Sequence, residues 1–322
     1  GFPRFRADQL YGHLARGIAA WEEIPNLPAT MIDWLRRNAH LTSFQIVNKY
    51  TSALDGTVKY LVELEGNARV ECVVMRYEHG LSVCLSTQVG CRMGCAFCAS
   101  TIGGCERNMT AGEIRDQYLF LAKDMGERID SIVLMGMGEP LDNYENVLRF
   151  IRLINEEKGV HLSTRHIALS TCGLTPRIRE LAKEKLGIAL AVSLHAPNDR
   201  LRKQIMPVAH THALPELIDA CVDYEAATGR RVTFEYTMIK GFNDSCECAQ
   251  ELITLLQPMK NRHVNLISVN PVEGRSFHVC TKEDIFRFQK ILRAGHVNAT
   301  VRRTMGRDIS GSCGQLKRKE RS

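Results

Sequence analysis

The chain has 322 residues, 44% of them hydrophobic and 24% charged, and its 42 Lys+Arg exceed its 36 Asp+Glu by a net +6. These values exclude a disordered or fibrous polymer and suit one large domain, alone or with a small one attached. No apolar stretch approaches the ~18 residues of a membrane helix. The longest runs are DSIVLMGMG and IALAVSL, and the start, GFPRFRADQL, is basic and broken. It gives no secretion signal, so a cytoplasmic protein with no membrane contact is expected. Twelve cysteines are too sparse for a secreted disulfide scaffold.

Residues 1–42 read as helices. Phe5, Leu10, Tyr11, Leu14 and Ile18 recur at helical spacing, as do Met31, Trp34 and Leu35 after Pro28. Residues 43–79 change to short alternating runs (FQIVNKY, TVKYLVELE, RVECVVM) broken by Gly, Asn and Asp, which predict strands and hairpins. From residue 80 to 322 strand-like runs alternate with helical stretches: LSVCLS, DSIVLMG, RHIALST, IALAVSL, RVTFEYTMI and HVNLISVN, closed by NATVRRT. Six βα units imply parallel strands with right-handed crossovers. No GxGxxG follows the first strand, so a dinucleotide fold lacks its fingerprint. The expected fold is α/β, an incomplete (βα)6 TIM-like barrel with a small helical accessory domain and a short β extension. Functional residues belong at the carboxyl ends of its strands.

Charge is concentrated at the end. Between Val301 and Ser322 seven cations, Arg302 among them, face only Asp308 and Glu320. This basic tail reads as a solvated terminus or as a contact for phosphates, together with Lys240 and Arg275 on later loops.

The most informative stretch is CRMGCAFC, which places Cys91, Cys95 and Cys98 just after the first barrel strand. Three thiolates in one compact loop suit a four-iron cluster with one iron left open. A structural zinc site would want a fourth ligand nearby, and Cys105 is the nominal candidate. Polar residues also close later strands: Gly136, Gly138 and Glu139 in GMGEP, then Ser170, then Ser193 with Leu194 and His195, then Asn270. Glycines there would let backbone approach a ligand, and Glu139 could hold an ammonium group. The remaining cysteines, Cys72, Cys105, Cys172, Cys221, Cys246, Cys248 and Cys280, fit no motif and read as structural.

CxxxCxFC after the first strand of a βα series resembles the radical S-adenosylmethionine (SAM) superfamily. The ending DIxxxCGQL, from Asp308 through Cys313 to Leu316, is similar to that of the RNA adenosine methyltransferases of the RlmN/Cfr family. The resemblance extends from about Phe5 to Leu316 and includes FRADQL near the start. The family's acidic residue and two alanines before the tail cysteine are replaced by Ser310, Gly311 and Ser312, where glycine is expected to loosen the loop.

This resemblance implies a [4Fe-4S] cluster on Cys91, Cys95 and Cys98, and SAM held by Gly138, Glu139, Ser170, Ser193, Leu194, His195 and Asn270. It implies two SAM per turnover. One methylates Cys313; the other, split at the cluster, yields a radical that takes hydrogen from the new S-methyl group, whose carbon then adds to the base. Glu71 matches the family's proton acceptor. Cys84 matches a second cysteine that attacks Cys313, frees the methylated RNA and leaves a transient disulfide. The motifs EPL and SLHAPN favour members that methylate C2 of adenine over those that methylate C8. Expected partners are 23S rRNA and tRNA, with flavodoxin or ferredoxin as electron donor, and the protein is expected to be a monomer. Two alternatives are a peptide-modifying radical SAM enzyme and a zinc-stabilised RNA-binding protein without catalysis.

Overall fold

The computed structural model describes residues 2–18, 20–39, 41 and 44–317. Helices α1 (Phe5–Leu14) and α2 (Ala29–Asn38) come first. Ile18, Trp21, Ile24, Met31 and Leu35 form a small apolar cluster apart from the main core. Three residues at helical spacing stay outside it: Phe5 is exposed, Tyr11 donates to Glu156 Oε2 at 2.8 Å, and exposed Trp34 meets Phe2 edge-on. Two ten-residue helices offer too little surface to bury every apolar position, and Ile18 falls beyond the end of α1.

Strands β1 (Gln45–Thr51), β2 (Val58–Glu63), β3 (Arg69–Tyr77) and β4 (Gly80–Cys84) form an antiparallel meander. Then β5 (Gln88–Gly90) and β6 (Cys105–Asn108) make a separate two-stranded ribbon. The βα series follows: α3 (Ala111–Met125), β7 (Ile129–Leu134), α4 (Tyr144–Asn155), β8 (Ile167–Thr171), α5 (Thr175–Glu184), β9 (Ala189–Ser193), α6 (Asp199–Ile205), α7 (Leu214–Thr228), β10 (Val232–Met238), α8 (Cys246–Leu255), β11 (His263–Ser268), α9 (Lys282–Ala294) and β12 (Asn298–Val301). One ten-stranded sheet runs β1-β2-β3-β4-β7-β8-β9-β10-β11-β12, parallel from β4 onward. The sheet stays open, with β1 and β12 at its edges, so the barrel is incomplete as expected.

Its central strands are largely buried, whereas the edge strand β1 is exposed. Ile129, Ile132 and Leu134 on β7 are wholly enclosed, and α4 lays Val147, Phe150, Ile151 and Ile154 against the sheet. Each such side chain contributes about 1.5–3 kcal/mol on burial. Phe44, Val58, Tyr60 and Val62 belong to the same core cluster, so β1–β3 extend the barrel sheet as one packed body. Tyr60 donates to Asp124 Oδ2 on α3 at 2.7 Å.

After β12 the chain doubles back over the meander. Asp308 accepts from Ser52 Oγ at 2.6 Å and Ala53 N at 2.9 Å, while Gly306 N donates to Asp55 at 2.9 Å. The segment before Cys313 is pinned rather than loosened: Gly311 N donates to Gly306 O and Ser312 Oγ to Met305 O, both at 2.8 Å. Hydrogen bonds here offset the freedom glycine brings. The cations of 318–322 lie outside the described residues.

At the strand ends packing is tight. A Cβ on Gly136 would lie 2.6 Å from Leu85 O, and one on Gly138 2.7 Å from Gln88 Cβ. Neighbouring protein by itself thus requires glycine at both positions, which also lie on the cleft wall. Gly136→Ala should destabilise the fold by about 2 kcal/mol or more, because the obstacle is backbone. Gly12→Ala, with open space around it, should be neutral or stabilising by roughly 0.5–1 kcal/mol. Urea midpoints of the two variants check this.

His195 follows β9 with φ +57° and is buried. Its Nδ1 accepts from Thr237 N at 2.9 Å, which leaves the ring proton on Nε2. Burial, reinforced by the nearby Arg202 guanidinium, pushes its pKa down to about 3. The unfolded imidazole titrates near ~6.5. Below that pH the unfolded chain binds a proton that the native state refuses, so stability falls as pH drops from about 6.5 toward 3. The slope for one proton is ~1.4 kcal/mol per pH unit. In urea titrations of cluster-free protein between pH 6 and 4, His195→Asn should lose that share of the slope; equal slopes would contradict the assignment.

Candidate active site at the strand ends

The carboxyl ends of the parallel strands surround a cleft enclosing about 930 Å³ of non-atom space, part of it open to solvent. Cys91, Cys95 and Cys98 lie on its wall with Gly138, Glu139, Ser170, Ser193, His195 and Asn270. The β5–β6 ribbon closes the cysteine loop, with Cys91 N donating to Gly104 O at 3.1 Å. Ala96 N fastens the loop to α6 through Ile205 O at 2.8 Å, and Phe97 packs edge-on against His195, 4.7 Å between centroids. This ribbon carries no long alternating pattern, so sequence reading missed it.

The three thiols are unbridged. Burial pushes Cys91 up to about 12 and raises Cys95 and Cys98 as well, each aggravated by another thiol of the trio or by Cys313. Without a cation they stay protonated, and metal loading must displace those protons. Among the described residues no three His, Cys, Asp or Glu side chains are grouped to hold a single metal ion. That arrangement fails the demand of a structural zinc site. It fits a cluster, where each thiolate meets a different iron and three ligands leave a fourth iron free. Cys105 sits on β6, off the cleft wall.

Glu139 is held at both oxygens, Oε1 by Leu141 N at 3.0 Å and Oε2 by Cys172 N at 2.7 Å. Burial raises its pKa, and an incoming ammonium group would favour the ionised form. Leu194 turns away: it is fully buried in the core and absent from the cleft wall. Met135, Glu235 and Thr237 are wall residues with no functional signal in the sequence, and Cys172, which reads as structural there, is on the wall as well. Met135 and Cys172 could have been signalled by their place just past a strand end. Arg302, counted with the tail cations, instead lines the cleft and pairs with Glu235 at 3.3 Å. Lys240 is likewise engaged within the fold, 2.6 Å from Asp284.

A second cavity opens beside the first. Cys84 and Cys313 both line it, and Met135, Ile267, Asn270, Arg302 and Cys313 belong to both walls. Cys84 is buried on β4 and its thiol is pushed up to about 12 by that burial, with Cys313 adding to the effect. Cys313 is exposed, and its carbonyl accepts from Asn270 Nδ2 at 2.9 Å. Glu71 lies apart from both. It is fully buried on β3 and lines a cavity under the tail, 3.2 Å from Lys59 Nζ, with Oε2 accepting from Lys317 N at 3.0 Å.

Comparison with known proteins agrees with this geometry. Residues 85–253 match the family model of the radical SAM superfamily. Over 99% of its length the chain is 48% identical to the "Probable dual-specificity RNA methyltransferase RlmN" of Alkaliphilus metalliredigens, covering 90% of that protein. It is 50% identical to the similarly named protein of Alkaliphilus oremlandii, covering 99% of this chain and 93% of that one. A crystal structure of a radical SAM methyltransferase from Sphaerobacter thermophilus superimposes with a TM-score of 0.94 at 43% identity, over 98% of this chain and 94% of the other. At this identity over nearly the full length of both chains, the chain belongs to the RlmN family of radical SAM RNA methyltransferases.

Proposed function

We propose that the protein methylates C2 of an adenosine in 23S rRNA and in tRNA, with Cys313 carrying the methyl carbon. The observation that carries this reading is the shared wall between the two cavities, which sets Cys313 between the cysteine trio and Cys84. Cys91, Cys95 and Cys98 would hold the family's four-iron cluster; Glu139, with Gly138, Ser170, Ser193, His195 and Asn270 around it, would receive SAM. When bound, the cluster and SAM supply a carbon radical able to abstract hydrogen.

C2 of adenine lies between two ring nitrogens and is too electron-poor to attack a methyl sulfonium itself. Cys313 sulfur is the better nucleophile, takes the methyl by displacement from a first SAM, and presents it at the cleft. Two SAM are therefore consumed per methyl delivered. Once the carbon is joined to the base, Glu71 removes the C2 proton. For Glu71 to reach the base, the tail beyond Cys313 must release its carboxylate. The Cys84 thiolate then attacks Cys313 sulfur, the bond from that sulfur to the carbon breaks, and the freed carbon takes a proton to become the methyl of the RNA. The remaining unpaired electron passes to a one-electron carrier, and a Cys84–Cys313 disulfide remains for an external dithiol to reduce. Such a cycle suits a reducing cytoplasm. Flavodoxin or ferredoxin is the fitting electron donor, and a monomer with residues 1–42 as the accessory RNA-binding unit is the simplest form. The base must leave its stack to enter the mouth.

Anaerobically reconstituted protein should be brown, with iron and sulfide near roughly four each per chain. Incubated with RNA and methyl-labelled SAM, it should give 2-methyladenosine on nucleoside mass spectrometry; 8-methyladenosine would move the assignment to the C8 class. Cys313→Ala should still cleave SAM yet leave RNA unmethylated, whereas a peptide-modifying enzyme would be indifferent to it. Cys84→Ala should accumulate a covalent protein–RNA adduct visible on denaturing gels.

A further inference from the structure

Arg202 differs from the other buried cations of the fold. It projects from α6, is 0% exposed, and is among the largest fully buried side chains. Its guanidinium donates to backbone carbonyls: Nη2 to Cys172 O at 2.6 Å and Ser193 O at 3.2 Å, Nε to Leu194 O at 3.2 Å, Nη1 to His212 O at 3.4 Å. Among the described residues it has no carboxylate at ion-pair distance, unlike Lys59 with Glu71 or Arg302 with Glu235; the one carboxylate whose field reaches it, Asp199, is turned to Leu214 N. A buried cation without an opposing charge is strongly disfavoured unless something compensates it. Carbonyl dipoles compensate in part; they do not neutralise.

The compensation is close by. Cys172 and Ser193 are cleft residues at the ends of β8 and β9, so the guanidinium stands directly behind the cleft wall. Cys172 packs with Cys95 in one apolar cluster that also holds Ile205 and Met206 from the end of α6. Ala96, next to Cys95, is hydrogen-bonded to Ile205 O, less than one helical turn beyond Arg202. The other oxygen-bearing partner of this wall, Glu139, reaches the same residue from the opposite side through Cys172 N. Three thiolates carrying a cluster would bring negative charge to a place already furnished with a positive one, across a low-dielectric layer.

We propose that Arg202 is the buried counter-charge of the cysteine-held cluster, a positioning residue that raises the cluster's reduction potential. One-electron reduction adds a negative charge on the cleft side, and a fixed cation behind the wall favours that added charge. The carbonyl clamp is a real structural role, but a neutral donor could share it; the charge is what the clamp leaves unexplained. This inference rests on the cluster assignment made above.

The test is an EPR-monitored redox titration of the reconstituted protein, without RNA or SAM, using dithionite as reductant. Arg202→Gln should shift the one-electron reduction equilibrium at least tenfold toward the oxidised cluster, about 59 mV to the negative. Arg202→Lys keeps the charge and loses the fork, so its potential should stay within threefold of the parent even as its thermal midpoint falls. An unshifted potential in cluster-loaded Arg202→Gln overturns the proposal. A tenfold drop in Arg202→Lys does so too, and that arm stands by itself if the Gln variant does not fold. Parent protein that assembles no cluster would instead refute the site assignment itself.

Discussion

Two hydrogen bonds decide where the chemistry can occur. Ala99 N donates to Gly314 O at 2.7 Å and Ser100 Oγ to Leu316 O at 2.7 Å, joining the cysteine loop to a segment 216 positions later. Gly314 adopts φ +79°, and a Cβ there would sit 3.3 Å from Phe97 O, so the tail lies flat on the loop. Every other relation in the mouth follows from this contact. It sets Cys313 on the boundary between two cavities, and it brings Lys317 over Glu71. The loop is anchored in turn by the β5–β6 ribbon and by α6, so the tail is registered to the barrel through the residues that flank the three thiols. The Ala99–Gly314 bond joins backbone groups and is specific in register whatever the side chains, whereas the second bond requires the Ser100 hydroxyl.

The cysteine trio was legible as a converging set because it is local, three soft donors within eight residues, and the structure brings all three to one cleft wall. Glu139 stood out in the sequence through the glycines beside it, and it lies on the same cleft wall. Gly136 and Gly138 are required by Leu85 and Gln88 across the strand gap, a tertiary contact that local sequence cannot display. Arg302 and Lys240 illustrate the opposite failure. Counted as surface charge they suggested phosphate contacts, yet each is paired to a carboxylate from a distant element. Charge is visible in a sequence; its partner is not. Ser310, Gly311 and Ser312 were misjudged in the same way, since their hydrogen bonds to Gly306 and Met305 close a turn that composition alone makes look loose.

Glu71 and Lys59 are the most demanding pair in the fold. Both are buried, at 0% and 6% exposure, and stand 3.2 Å apart. Removing two ions from water costs several kcal/mol each, and their attraction repays this only with good geometry and further hydrogen bonds. The geometry here is incomplete: Glu71 Oε1 has no well-aligned donor, and Lys59 Nζ gives its hydrogen bond to Ser310 O at 3.3 Å. Hydrophobic residues of like volume would pack at least as well. A pair kept at such cost, with its remaining bonds directed to the tail, suggests a function bound up with the tail's position.

The tail contacts give that function a physical form. With Lys317 N on Oε2 and Ser310 O on Lys59, the tail supplies the hydrogen bonds that make the buried carboxylate tolerable. Lifting the tail would leave the buried Glu71–Lys59 pair facing its cavity without those hydrogen bonds. The structure therefore couples two requirements of the proposed reaction. While the tail is docked, Cys313 is seated at the cleft and the Glu71 carboxylate is covered by Lys317 N. In the proposed reaction, movement of the tail toward RNA would uncover that carboxylate only as the carbon carrier departs, and the order needs no separate signal, because one segment of chain controls both groups.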